Sequence, residues 1–184
     1  GPLSARELAE RLHPESAEPE PATPDRSAEH RPAEPPVSEE YARELAERLV
    51  HARRAYSFEG PGTPESGPQL YYAAVEDAAR LRDGLGIMPA AALPLAFLEP
   101  VAEPLEDLVS RFARTHIPFG VHEAAAHFSR LTPVGTGVLL PVLLRLQRQR
   151  RMTSGEFLPE VMRGASERAE GPGGSPEWVD VQVL

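Results

Sequence analysis

The sequence predicts an α+β chain in which a partly disordered N-terminal region precedes three helices and a small antiparallel sheet. Three observations carry this expectation. Eleven of the 21 prolines fall within the first 68 residues. Helical periodicity becomes clear from Pro104 onward, and segments rich in strand-forming residues follow Arg151. Three divisions result: 1–68, rich in Pro, Glu and Ala and largely disordered with two short helices; 69–103, a helical and strand-like connector; and 104–184, the three helices and the sheet.

The octapeptide ARELAERL occurs twice, at Ala5 to Leu12 and at Ala42 to Leu49. The first copy reads as a helix capped by Ser4, with Glu7 three residues on and Pro14 as its stop. Residues 14–37 have almost no large apolar side chain and read as disordered or extended. The second copy follows Ser38 and is expected to continue through HARRAYSF until EGPGTPESGP ends it. Both draw on a four-letter alphabet, so one match with unrelated flanks does not establish a periodic architecture. Ordered sequence is expected to begin at Gln69, where QLYYAAV is strand-like and EDAARLRDGLG is a helix stopped by glycine.

PLEDLVSRFARTH places Leu105, Leu108, Val109 and Phe112 on one stripe, with Pro104 near the start and acids in the first turn. VHEAAAHFSRL turns Val121, Ala124, Ala125, Phe128 and Leu131 inward. TPVGTGVLLPVLLRLQRQRR is the third helix, and Pro141 predicts a kink or restart within it. RMTSGEFLPE reads as strand, turn, strand, and EWVDVQVL as a final strand. Three helices and then a small sheet is the order of a winged helix.

The formal charge of −9 argues against the whole chain being a nucleic-acid binder, but the charge is uneven. Residues 1–68 carry 14 acids against 8 arginines, and 69–110 carry 7 against 2. Residues 111–151 reverse the balance, with 7 arginines against the single acid Glu123. Lysine is absent, so every fixed cation is a guanidinium, whose planar fork suits phosphate. A genome rich in G and C favours arginine too. With no cysteine there is no disulfide, thiolate metal site or thiol nucleophile, which fits a reducing compartment and a cytoplasmic location. No run of about 18 apolar residues predicts a membrane span, and the start lacks a signal pattern.

Catalytic constellations are absent from the sequence. There is no GxxxxGK[ST] loop and no lysine to serve one. No serine sits in GxSxG, and acid pairs such as Glu106 and Asp107 are adjacent rather than facing. His116, His122 and His127 lie close together, but a spacing of five between the last two does not align their rings on a helix face, and no metal site is expected.

YAAVEDAARLRDGLG, RFARTHIPF, GEFLP and EWVDVQVL, in this order and spacing, resemble the Lhr-type large helicase-related proteins, ATP-dependent DNA helicases of superfamily 2. The likeness covers roughly residues 70–184. Ile117 stands where the family usually has Gly, and Val179 where it often has Cys. The resemblance implies an accessory region downstream of the motor domains, with ATP and Mg bound in those domains and no cofactor here. It also implies sequence-independent DNA binding and a role in DNA repair. Partners would be single-stranded or tailed duplex DNA, together with the helicase motor domains or another protein. Arg111, Arg114, Arg145, Arg148, Arg150 and Arg151 are the expected phosphate contacts, and an arginine-rich helix end solvating the domain is the alternative. Trp178, the only tryptophan, is the expected base-stacking residue or else a core residue closing the sheet. A winged helix without nucleic-acid affinity, serving as a structural or protein-interaction adaptor, is the rival reading.

Overall fold

The computed structural model describes residues 1–12, 37–89, 93–116, 118–157 and 176–183. Among them are six α-helices and two antiparallel sheets, more than a lone unit of three helices and one sheet. The expected disorder of 14–37 falls almost wholly outside the described residues, as do Ile117 and most of the bridge between the last two strands.

Order begins well before Gln69. Leu3–Ser4 (β1) leads directly into Ala5–Leu12 (α1). The Glu7 amide donates to Ser4 Oγ at 3.3 Å while Glu7 Oε2 accepts from the Ser4 amide at 2.8 Å, the reciprocal capping anticipated from the sequence. Glu39–His51 (α2) is capped by Ser38 Oγ, which accepts from the Tyr41 amide. The two ARELAERL copies are both helical and bury the same positions, Ala5 and Ala9 in one and Ala42 and Ala46 in the other. Ala5, Ala46 and Tyr72 share a small satellite core with Leu8 and Val50 at its edge.

α2 does not run through HARRAYSF. Arg53 takes a left-handed backbone (φ 55) and the chain enters Ala55–Gly60 (β2). Tyr56 and Phe58 alternate inward there, a period-two signal that outweighs the helical propensity of the residues before it. A turn leads to Gln69–Ala74 (β3), and β1 adds to the far side of β3, giving the order β1-β3-β2. Ala78–Leu85 (α3) ends where Gly86 adopts φ 70.

Pro104–Ala113 (α4) has the predicted proline at its start. Val121–Ser129 (α5) and Thr136–Arg148 (α6) follow. α6 is continuous through Pro141. That residue lies only five positions after the first, so in α geometry its ring removes a single bond, to the Gly137 carbonyl, on an exposed face. Met152–Gly155 (β4) pairs with Glu177–Asp180 (β5), and Phe119 bridges to Trp178 on the other side of β5. The final strand therefore stops short of Val181 and Val183, which are exposed.

One core joins the two sheets. Tyr56, Phe58 and Tyr71 from the N-terminal sheet belong to the same buried cluster as Val109, Phe112, Leu139, Leu143, Leu146 and Trp178. Gly60 lets the end of β2 come close to the turn after α5. A Cβ there would lie 2.7 Å from the Arg130 carbonyl oxygen, and the nearby Gly62 amide donates to that same oxygen at 3.0 Å. The Arg130 guanidinium in turn reaches Glu7 of α1 and lies 5.9 Å from the Tyr71 ring centroid.

Candidate nucleic-acid interface

α6 buries Leu139, Leu143 and Leu146, and this spacing leaves Arg145 and Arg148 on its solvent side. The helix closes through hydrogen bonds donated by the amides of Gln149, Arg150 and Arg151 to the carbonyls of Arg145, Gln147 and Leu146. Arg150 makes this turn at φ 59, a conformation that costs a non-glycine residue roughly 1–2 kcal/mol.

The six predicted phosphate contacts divide into two sets. Arg111 pairs with Asp77 at 3.0 Å and with Asp107 at 3.3 Å, both of which also meet Arg80. Arg114 approaches Asp180 at 3.7 Å. Arg145 lies 3.2 Å from Glu103 and 3.3 Å from the buried Glu106. Arg151 lies 3.8 Å from Glu106 and donates to Ser110 Oγ at 2.8 Å. Folding thus brings acids from outside the 111–151 segment onto four of its arginines. Arg148 and Arg150 are exposed and make no ion pair with any described residue. The acid partners could not be read from the charge windows, because they lie far away in sequence or in a neighbouring turn.

Trp178 occupies the position of the core alternative. It is 1% exposed, and its backbone exchanges bonds with Phe119 at 2.8 and 3.1 Å. In this arrangement the ring is packed in the core rather than presented to a base. Its indole N–H has no partner among the described residues.

His116 stacks on Phe112 with centroids 4.0 Å apart, and His127 lies edge-on to His116 at 5.5 Å. Among the described residues no group of three or more side chains is placed to hold a metal. Burial lowers the His127 pKa from 6.5 to about 4, with further lowering by His116, the amino terminus and Arg11. Between those values the unfolded chain binds the proton and the folded one does not. Stability from this group is complete above pH 6.5 and is lost as pH falls toward 4. Thermal unfolding across that window is expected to show a slope that His127→Phe reduces; an unchanged slope would remove this assignment.

Six helices on two small antiparallel sheets, among the described residues, define an α+β fold. The winged-helix domain model of large helicase-related proteins matches residues 21–100, a stretch that includes α2, β2, β3 and α3. The chain is 36% identical over 116 residues to the "Lhr helicase/ probable uracil glycosylase" of Mycolicibacterium smegmatis, and 34% identical over 112 residues to the "Lhr helicase/uracil glycosylase" of Escherichia coli. These alignments cover 63% and 61% of this chain and 7% of each relative. Over these stretches the chain is similar to the Lhr-type helicase-related proteins.

Proposed function

We propose that the chain is a sequence-independent DNA-binding accessory segment of an Lhr-like helicase, with Arg148 and Arg150 as its principal phosphate contacts in the C-terminal part. The observation that carries this reading is their exposure without an acid partner among the described residues, at a helix end next to a strand pair. Guanidinium forks in this setting grip phosphate oxygens without reading bases, as a translocating motor requires. α4, α5, α6, β4 and β5, with Phe119 as the third strand position, would form the unit of winged-helix order within 104–184. Arg111, Arg114, Arg145 and Arg151 would contribute only by giving up their acids. ATP hydrolysis and DNA repair chemistry would belong to the whole parent protein and its motor domains.

Titrating labelled single-stranded and 3′-tailed duplex DNA with the full chain tests this by fluorescence anisotropy. Affinity is expected to fall steeply with salt. Arg148→Gln with Arg150→Gly is expected to flatten the log–log salt slope by about 1.4–1.8, at roughly 0.7–0.9 per phosphate contact. No binding at low salt would overturn the reading.

One feature favours the adaptor alternative. Leu140 and Leu144, one turn apart, leave an exposed apolar surface on α6, suited to a neighbouring protein domain. Binding through that surface would be insensitive to salt.

A further inference from the structure

The chain contains a structural duplication that the ARELAERL match does not mark. α2 and α6 each have 13 residues, and the step from Glu39 to Thr136 equals that from His51 to Arg148, 97 residues in both cases. At the end of α2 the amides of Ala52, Arg53 and Arg54 donate to the carbonyls of Arg48, Val50 and Leu49. At the end of α6, Gln149, Arg150 and Arg151 repeat these bonds to Arg145, Gln147 and Leu146. Arg53 and Arg150 share the left-handed backbone, at φ 55 and φ 59, and a strand begins two residues later in each case. The surrounding order matches too: β1, α1, α2, β2, β3 corresponds to Phe119, α5, α6, β4, β5, with the last strand central in each sheet.

Arg48, Arg53 and Arg54 therefore stand where Arg145, Arg150 and Arg151 stand in the second unit. Their circumstances differ in one respect. Arg145 and Arg151 are drawn onto Glu103 and Glu106, whereas all three N-terminal arginines are exposed and make no ion pair with a described residue. Glu76 lines the same groove as Arg54 without pairing with it. Three full positive charges exceed what a helix C-terminus of about half a negative charge requires. A side chain at Arg53, in a conformation that glycine would adopt without strain, adds to the case for a role in binding.

We propose that Arg48, Arg53 and Arg54 form a second contact surface for the phosphodiester backbone of nucleic acid, at the end of α2. The proposal rests on the reading that the chain binds DNA, and it gives the acidic N-terminal third a direct part in that binding.

The test uses the full chain and the same single-stranded and tailed DNA probes over a range of salt. The variant Arg48→Gln, Arg53→Gly, Arg54→Gln is compared with Arg148→Gln, Arg150→Gly. Arg43→Gln, on α2 but paired with Glu39, serves as a control. Circular dichroism checks folding, and the single change Arg53→Gly, which relieves the backbone, supplies a fold-preserving second variant. The triple variant is expected to lose at least about tenfold in affinity at low salt and to flatten the log–log salt slope by about 2–3. Arg53→Gly alone is expected to lose about threefold, with Arg43→Gln unchanged. If the triple variant and Arg53→Gly both bind like the parent while the α6 variant is impaired, this surface falls and the proposed function stands. If the parent binds no DNA, both fall. A loss of affinity with no change in salt slope would also overturn phosphate contact here.

Discussion

Trp178→Ala is expected to destabilise the protein by about 3–5 kcal/mol, the range for emptying a large aromatic site in a close-packed core. The ring is 1% exposed and belongs to the buried cluster with Phe112, Phe119 and Leu143, while its backbone joins Phe119 to β5. Trp178→Phe should cost less, because it retains most of the apolar volume and removes an indole N–H without a partner among the described residues. Chemical denaturation followed by circular dichroism measures both variants. If Trp178→Ala kept the parent's stability and lost only DNA affinity, the ring would be a base-stacking platform and its burial here would not represent the DNA-binding state.

A methyl group at Gly60 is the second change expected to have a large effect. The Cβ of Gly60→Ala would lie 2.7 Å from the Arg130 carbonyl oxygen, 3.1 Å from that of Leu131 and 2.9 Å from the Tyr71 ring. Two of these obstacles are backbone and cannot rotate aside, so the β2 end must separate from the turn after α5. Overpacking of this kind costs about 1–3 kcal/mol and sometimes more. Gly137→Ala, whose new methyl in α6 would meet nothing within 4 Å, serves as the control and is expected to be neutral or mildly stabilising. Equal unfolding midpoints for Gly60→Ala and the parent would mean that the end of β2 and the turn after α5 are not held this closely.

The parts legible in the sequence are those governed by local rules. The capping pair Ser4 and Glu7, the proline at the start of α4, the glycine stop of α3 and the apolar stripes of α4 and α5 all follow from spacing alone. Long-range pairing is not legible. β1 is only two residues long and becomes a strand because β3 lies beside it, so no local pattern announces it. AYSFEG reads as the tail of a helix because its alanine and arginine neighbours are good helix formers. The alternation of Tyr56 and Phe58 before a Gly- and Pro-rich turn is the hairpin signal that such a reading misses.

The arginine cluster is legible as composition and not as electrostatics. A window from 111 to 151 cannot see Asp77, Glu103, Glu106 or Asp180, each brought in from another element. Conversely, Arg48, Arg53 and Arg54 sit in a segment whose net acidity hides them, since its 14 acids are spread over 68 residues while these arginines fall within seven positions.

The tie between Glu7 and Arg130 bears on the order in which the chain can assemble during synthesis. Residues 3–12 leave the ribosome before the β3 edge and long before the α5 end against which they settle. The β2–β3 hairpin needs only neighbours in sequence and can form early, whereas α1 has to wait, exposed, until the end of α5 has followed. Its charges at Arg6, Glu7, Glu10 and Arg11 let it remain in water during that interval. α1 is thus made before the elements it packs against and docks only after they have followed, so the shared core closes from its N-terminal side.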